Sequence, residues 1–531
     1  MGILKPFSSE QRVEDVEGRP RSGGPGQGAD AAVAATLAEQ RVEVTEEDDK
    51  RIRRKTDRVI LTILVWIYFL QVLDKAVLGT ASLFNLQEDT GLTGHQYSLV
   101  GSISPIAQLA WQPFSTVLIV KVPHRILMPT LVLGWGIAAA CMAACHNFGA
   151  LLAARFFLGL FEAGCLPLFS VITSQWYRRA EQPVRVAAWN GQNGSATMVA
   201  SALSYGLGHI PSNLLKPWQI IFLFVGLLTI VSAFPVYWKL DNDIPSARFL
   251  TDHEKLQAAE RLRANQTGIG TREFKWEQVW EVALDPKSYL WLSLAVLINI
   301  GASVTSIFGP LVLSSFGFDK FETSLLNIPF GAVEMIVIFG ACYAAHKVRI
   351  KFAILVGFLL PVIAGSVMLY VLDRGPSERA ALVAAYYLLA FLFAGNPLIL
   401  AWIVGNTGGA TKRSATLALF QAGSSAGNII GPLLFKSQDA PFYLPGLRAV
   451  LAVFVAAIAC VFIQLANLIL LNRLQARRRV RNGKSAVIED KSMNATYRAE
   501  GKETSPEGVV LGEHAFDDLT DRQNDEFVYI Y

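Results

Sequence analysis

Long uncharged apolar runs recur along this chain, and they leave few folds open to it. Val59–Gln71, Ile126–Cys145, Ile220–Trp238, Tyr289–Leu313 and Val450–Leu471 contain no Asp, Glu, Lys or Arg. Each is, or lies within, a stretch of about 20 residues, and at 1.5 Å rise about 20 residues cross a hydrocarbon core of about 30 Å. Lipid offers no hydrogen-bond partner, so a spanning chain must bond its own backbone, as helices do. Composition agrees. Of 531 residues, 52% are hydrophobic and 17% are charged, against roughly 25% charged in soluble domains. The runs are too many for a soluble protein with buried helices. An all-α membrane protein is expected.

Twelve transmembrane helices are expected, at about 58–80, 97–119, 126–145, 149–172, 187–209, 217–238, 288–313, 324–346, 352–372, 380–404, 411–434 and 447–471. The fifth and eleventh are rich in Gly, Ser, Asn and Gln ("WNGQNGSATMVASALSYGLG" and "LALFQAGSSAGNIIGP"). Small residues let helices approach closely, and polar ones can face a cavity.

Basic residues set the sidedness. "KRIRRKTDR", Lys121 and Arg125, "YRRAEQPVR", the central loop, "KVRIK", "TKR" and "RLQARRRVR" fall on one side, whereas "GTASLFNLQEDTGLTGHQ" on the other has no Lys or Arg. By the positive-inside rule both termini and the central loop are cytoplasmic. The chain also repeats. "EQPVRVAAWNGQNGSA" resembles "GATKRSATLALFQAGSSAG", and "VKVPHRILMP" resembles "HKVRIKFAIL" at a similar offset. Two pseudo-symmetric six-helix bundles are therefore expected, at 58–238 and 288–472, joined by a cytoplasmic loop at 239–287. The Gly/Ala-rich tail 1–57 and the polar tail 473–531 read as disordered and cytoplasmic.

Other classes find little support. The net charge of +4 comes with no nucleic-acid motif. The five cysteines sit in apolar runs without a CxxC pair, and the seven histidines lie in loops or at span ends. No metal spacing or nucleophile triad is present, so neither an enzyme nor a cofactor is expected. "MGILKPFSSE" lacks a signal-peptide core and fits myristoylation poorly. The glycosylation patterns at Asn265 and Asn494 fall on the cytoplasmic side and that at Asn193 in a span, so none is expected to be modified.

Few ionisable residues lie inside the spans: Asp74 and Lys75 in the first, Arg155 and Glu162 in the fourth, Glu334 in the eighth. A charge at mid-bilayer costs roughly 2.5–3.5 kcal/mol on insertion scales, so such residues mark function. Helix rise puts Asp74, Lys75 and Arg155 in one layer, roughly 9 Å below the outer end, with Glu162 roughly 10 Å deeper. Asp74 and Arg155 can form a static pair between helices. Glu162 has no cation at its own depth, which suits a proton-coupling site. Lys75 and Arg155 suit a bound carboxylate. Glu334 fits two readings, a proton site in the second half or a helix-packing contact. Trp189, Asn190, Gln192 and Asn193 in the fifth span, with Gln421 and Asn428 in the eleventh, can line a substrate pocket or pack between helices.

These residues carry a resemblance. "RFFLGLFEAGCLP" resembles the fourth-span RxxxGxxE pattern of the anion:cation symporter branch of the major facilitator superfamily. "FLQVLDKAVLGTASLF", "TSQWYRRAEQPVRVAAWNGQNG", "FETSLLNIPFGAVE", "GNIIGPLLFKSQDAPFYLPG" and the central loop from "ARFLTDHEKLQAAERLRANQ" onward look like its fungal allantoate permease family, over about residues 55–475. The resemblance implies the twelve-span facilitator fold and uptake of small carboxylates, such as allantoate, ureidosuccinate, nicotinate or pantothenate, with protons. It also implies proton sites at Asp74 and Glu162 and anion-binding roles for Lys75 and Arg155. "TVLIVKVPHRILMP" departs from the family's GxxxDRxGRR loop, and "WNGQNGSATMV" and "FQAGSSAG" differ in detail.

Three functions are compatible with these residues. The first is proton-coupled uptake of an organic anion, by a monomer in the plasma membrane. The second is export of a fungal metabolite, although the GPxxGG-like motif of drug antiporters is missing from the fifth span. The third is a nutrient receptor that does not transport.

Overall fold

The computed structural model describes residues 44–93, 95–177, 181–266, 275–347, 350–439, 442–486, 519–525 and 527–531. Expectations about 1–43, about the flanking Arg178, Arg179, Val348 and Arg349, and about Asn494 lie outside the described residues. All the regular structure described is helical. A cap helix α1 (Glu46–Thr56) leads through one π-helical turn into α2 (Thr62–Ala81). Then follow α3 (Gln96–Lys121), α4 (His124–Met142), α5 (Phe148–Glu162), α6 (Cys165–Trp176), α7 (Gln182–Asn190), α8 (Gln192–Gly208) and α9 (Pro217–Lys239). Two short helices, α10 (Asp252–Gln266) and α11 (Trp276–Leu284), occupy the central loop. The second half comprises α12 (Pro286–Ser314), α13 (Lys320–Lys347), α14 (Lys351–Val371), α15 (Arg379–Leu388), α16 (Gly395–Gly405), α17 (Ala410–Leu433) and α18 (Leu444–Arg481).

Local chemistry accounts for the ends. Asn147 caps α5, its Oδ1 accepting from Ala150 N at 2.8 Å. Asp285 caps α12, accepting from Lys287 N at 3.1 Å, and Pro286 takes the first helical position, where its missing N–H costs nothing. The fourth apolar stretch breaks at Ala163–Gly164 between α5 and α6, directly after Glu162. The fifth breaks at Gly191 between α7 and α8.

Nine helical stretches among the described residues are long and apolar enough to cross a membrane. Helices α3, α8 and α17, which carry the expected second, fifth and eleventh spans, fall outside that set. They pack lengthwise against those that belong to it: α3 on α5, α8 on α2 and α13, α17 on α12. The two halves meet through α2 with α12, α3 with α17, and α8 with α13.

Glycines set the closeness of these crossings. A Cβ on Gly194 would sit 2.3 Å from Gly331 O, and one on Gly331 would sit 2.7 Å from Gly194 O. Gly159 is pressed as tightly on Ser104 O, and Gly79 on Ser306 O. Hydrogen bonds tie the halves at the end remote from α1 and Arg481. Tyr97 Oη donates to Ile307 O (3.2 Å), Ser98 Oγ to Phe435 O (2.6 Å) and Ser102 Oγ to Ile429 O (2.8 Å).

The described parts of both tails depart from the expectation of disorder. Residues Glu46–Thr56 of the first tail are helical and tied to the central loop, with Lys55 Nζ 2.8 Å from Glu254 Oε1 and Arg261 Nε 2.6 Å from Asp49 Oδ1. In the second tail α18 runs on to Arg481, and residues 519–525 and 527–531 pack against the second half. Polarity misleads in both places, because ion pairs and hydrogen bonds order these segments together with a few buried side chains, Ile52 in the first and Tyr529 in the second.

The glycine crossings give a test. Gly194→Val has to displace the Gly331 backbone, and overpacking of this kind costs about 1–3 kcal/mol or more. It is expected to reduce monodisperse protein several-fold by fluorescence-detected gel filtration. Gly206→Ala, where a Cβ meets open space, should leave the profile unchanged.

Candidate functional site

Helix periodicity places Tyr68, Gln71 and Lys75 on one face of α2, and Asn193 and Thr197 on one face of α8. Across the interface α13 presents Asn327 and Glu334. Together with Tyr386 they line a cavity of about 130 Å³ between the two halves.

One group of charges lies behind the first-half wall and reaches the cavity through Lys75. Glu162 is buried, and its Oε2 accepts from Gln108 Nε2 at 2.6 Å. Lys75 Nζ stands 3.6 Å from the same oxygen, while its side chain keeps 41% exposure toward the cavity. Arg155 is also buried, its Nε donating to Val100 O at 3.4 Å. Asp74 sits buried beside Trp135. Among the described residues, Glu162 Oε1, Arg155 Nη1 and Asp74 Oδ2 have no hydrogen-bond partner.

This geometry corrects two expectations. Asp74 and Arg155 do not form an ion pair among the described residues, and Glu162 is not without a cation. Counting helix rise places backbones, not side-chain tips. The flexible stem of Lys75 carries its ammonium to Glu162 from another layer.

A second group lies at the wall formed by α13 and α8. Glu334 is buried, and Thr197 Oγ1 donates to its Oε2 at 3.1 Å. Tyr386 Oη donates to Asn327 Oδ1 (2.9 Å), and Asn327 Nδ2 donates to Ser201 Oγ (3.0 Å). Glu334 therefore faces the cavity and also makes a packing contact between the halves. Tyr68 Oη donates to Asn190 Oδ1 and accepts from Asn193 Nδ2, both at 3.2 Å.

The remaining expected pocket residues divide. Asn193 lines the cavity. Asn190 stands behind it, holding the Tyr68 hydroxyl. Trp189 is a buried support, its ring 5.1 Å from that of Tyr68 and 5.8 Å from that of Phe169. Gln192 Nε2 donates to Ala188 O in the preceding turn. Gln421 and Asn428 are half-buried on α17 and are not among the residues lining this cavity. Sequence reading passed over Tyr68, Gln71, Gln108, Thr197, Asn327 and Tyr386. The i, i+3, i+7 spacing of Tyr68, Gln71 and Lys75 was an available signal for the first two.

A polytopic helical protein whose two halves enclose a polar, charged cavity is built as a membrane transporter. Residues 64–432 match the Major Facilitator Superfamily, and the chain belongs to it. It is similar to the Thiamine pathway transporter THI73 of Saccharomyces cerevisiae, 32% identical over 492 residues that cover 92% of this chain and 87% of that one. It is also similar to the Allantoate permease of the same yeast, 28% identical over 515 residues covering 93% and 89%. In fold it resembles a bacterial homologue of the human lysosomal transporter Spinster, solved inward-facing and occupied. The TM-score is 0.59 and the identity 15%, over 76% of this chain and 96% of that one. The chain is thus a secondary-active transporter of a small solute and not an enzyme.

Removing Lys75 leaves Glu162 buried without its cation. Breaking a fully buried pair from one side costs about 3–5 kcal/mol, and partial exposure of Lys75 makes the cost smaller here. Lys75→Met is expected to lower the thermal unfolding midpoint in detergent by several degrees. Adding Glu162→Gln to that variant should restore most of the loss.

Proposed function

We propose that this protein takes up a small organic anion together with protons, by alternating access, in the plasma membrane. We read α3, α8 and α17 as spans alongside the nine apolar stretches, giving twelve in two six-helix bundles with both termini cytoplasmic. In that orientation, the bonds of Tyr97, Ser98 and Ser102 to the second half close the outer side. The halves would rock about the cavity, which lies between them.

The observation that carries the reading is the position of Lys75. Its ammonium stands 3.6 Å from Glu162 on one side and borders the cavity on the other. One ammonium cannot fully serve two carboxylates. While Glu162 is ionised it retains Lys75. When Glu162 takes up a proton, Lys75 is free to meet a substrate carboxylate in the cavity. Anion and proton then enter together, because each favours the state that holds the other. Arg155, with Nη1 unpartnered, supplies a second donor for the anion or, alternatively, the field that holds it. Asp74 and Glu334 are further proton sites in this scheme, one in each half. The similarity to the Allantoate permease supports a carboxylate substrate.

The test is accumulation of labelled carboxylates by yeast lacking its own permeases, at acidic pH. Wild type should concentrate at least one carboxylate, and a protonophore should abolish that concentration. Glu162→Gln should lose about tenfold or more of concentrative uptake yet retain substrate exchange across the membrane. Accumulation that ignores the protonophore would contradict proton coupling. Extrusion in place of accumulation would favour export.

A further inference from the structure

The residue set at the other end of the second half has no part in the cavity. Lys287 and Lys412, at the starts of α12 and α17, are among the most buried charges in the protein, at 1% and 0% exposure. Between them lies Asp521, itself fully buried. Its Oδ2 is 2.5 Å from Lys287 Nζ and accepts from Tyr529 Oη at 2.8 Å. Its Oδ1 is 2.7 Å from Lys412 Nζ and accepts from Gly408 N at 3.2 Å. Both carboxylate oxygens are thus doubly engaged. Lys412 also has Glu281 and Asp285 at 2.7 and 3.2 Å, but the next carboxylate to Lys287, Asp285, is 3.9 Å away.

Backbone contacts extend the fit. Asn406 clasps residue 530 from both sides, Nδ2 donating to Ile530 O at 2.9 Å and Oδ1 accepting from Ile530 N at 2.7 Å. Trp402 Nε1 adds a bond to Ile530 O at 2.9 Å. Asn472 treats Tyr529 the same way, accepting from its N at 2.9 Å and donating to its O at 2.8 Å. Two asparagines that each bond one residue's N–H and C=O fix the backbone of residues 529 and 530 by side-chain amides.

We propose that this face of the second half is a peptide-binding site, filled by the chain's own residues 519–525 and 527–531. The docked segment is a latch that joins α12, α14, α16, α17 and α18. The site takes an acidic residue between two lysines, followed eight positions later by an aromatic residue. The partners just named lie in the second half, so the latch travels with that half and does not bar its rocking against the first. Burial by itself pushes the Asp521 carboxyl up, but Lys287 and Lys412 outweigh it and hold it at about 2. The latch therefore stays charged throughout the physiological pH range.

A protease site placed within 487–518 of the full-length chain tests this. The protein is purified folded, held by an N-terminal tag, cut, and washed, and the released fragment is followed by mass spectrometry. The wild-type fragment should stay with the body in near one-to-one amount through low-salt washes. Asp521→Asn should reduce retention about tenfold or more. Excess synthetic LTDRQNDEFVYIY should displace the wild-type fragment, whereas the same peptide carrying Asp521→Asn should not. This peptide competition needs no mutated protein, so it decides the matter even where Asp521→Asn folds poorly. Loss of the wild-type fragment in the first wash would overturn the proposal. So would equal displacement by the two peptides.

Discussion

A bilayer supplies no water to pair a polar group, so each buried polar atom in this protein must find a partner in the chain or await one from outside. Backbone groups are satisfied within helices, and most side-chain hydroxyls bond the preceding turn, as Thr229 bonds Val225 O and Ser366 bonds Val362 O. Among the described residues some are not satisfied, in both halves, from Trp176 Nε1 to Gln464 Nε2. One group of them, Gln71 Oε1, Asp74 Oδ2, Arg155 Nη1 and Glu162 Oε1, comes from α2 and α5 of the first half. Leaving such atoms unpaired costs about 1–3 kcal/mol each, more for charged groups. Four such atoms gathered on two helices, with Gln71 itself lining the cavity, are how a transport protein would keep binding capacity in reserve.

The packing of the halves complements this reserve. Interfaces built on Gly194 against Gly331 and on Gly79 against Ser306 O carry little side-chain interdigitation to undo. Hydrogen bonds between the halves lie at the remote end, where serine and tyrosine hydroxyls reach carbonyls opposite, and beside the cavity, where Thr197 Oγ1 donates to Glu334 Oε2 and Asn327 Nδ2 to Ser201 Oγ. The interface is therefore held by a modest number of short-range contacts. Movement of one half over the other need only exchange these, while each half keeps its own core. In the second half the docked residues 519–525 and 527–531 add cross-links among α12, α14, α16, α17 and α18 at the opposite end.

Much of the fold was legible because the bilayer imposes a simple rule on length and polarity. The apolar runs became helices, and the polar fifth and eleventh stretches became α8 and α17, which pack at the interface between the halves. Asp74, Lys75, Arg155, Glu162 and Glu334 could be singled out from cost alone. What could not be read was which of them meet. Lys75 reaches Glu162 through a flexible stem, and Gln108 arrives from α3, a helix 54 residues earlier in the chain. Trp189 and Gln192 share a segment with Asn193 yet face elsewhere: Trp189 lies before the Gly191 break, and Gln192 is one position, about 100°, round the same helix from Asn193. Residues 519–525 and 527–531 eluded reading for a related reason. Their order rests on Lys287, Lys412, Asn406 and Asn472, whose positions only the tertiary fold defines.

The central claim is that Lys75 exchanges Glu162 for the substrate as Glu162 takes up a proton. Proton uptake on binding tests it directly. Purified protein in nanodiscs would be titrated calorimetrically with a transported carboxylate in buffers of differing ionisation enthalpy. The account predicts a buffer dependence corresponding to net proton uptake with the bound anion, lost in Glu162→Gln and in Lys75→Met. Tight binding by the wild type with no buffer dependence would contradict it.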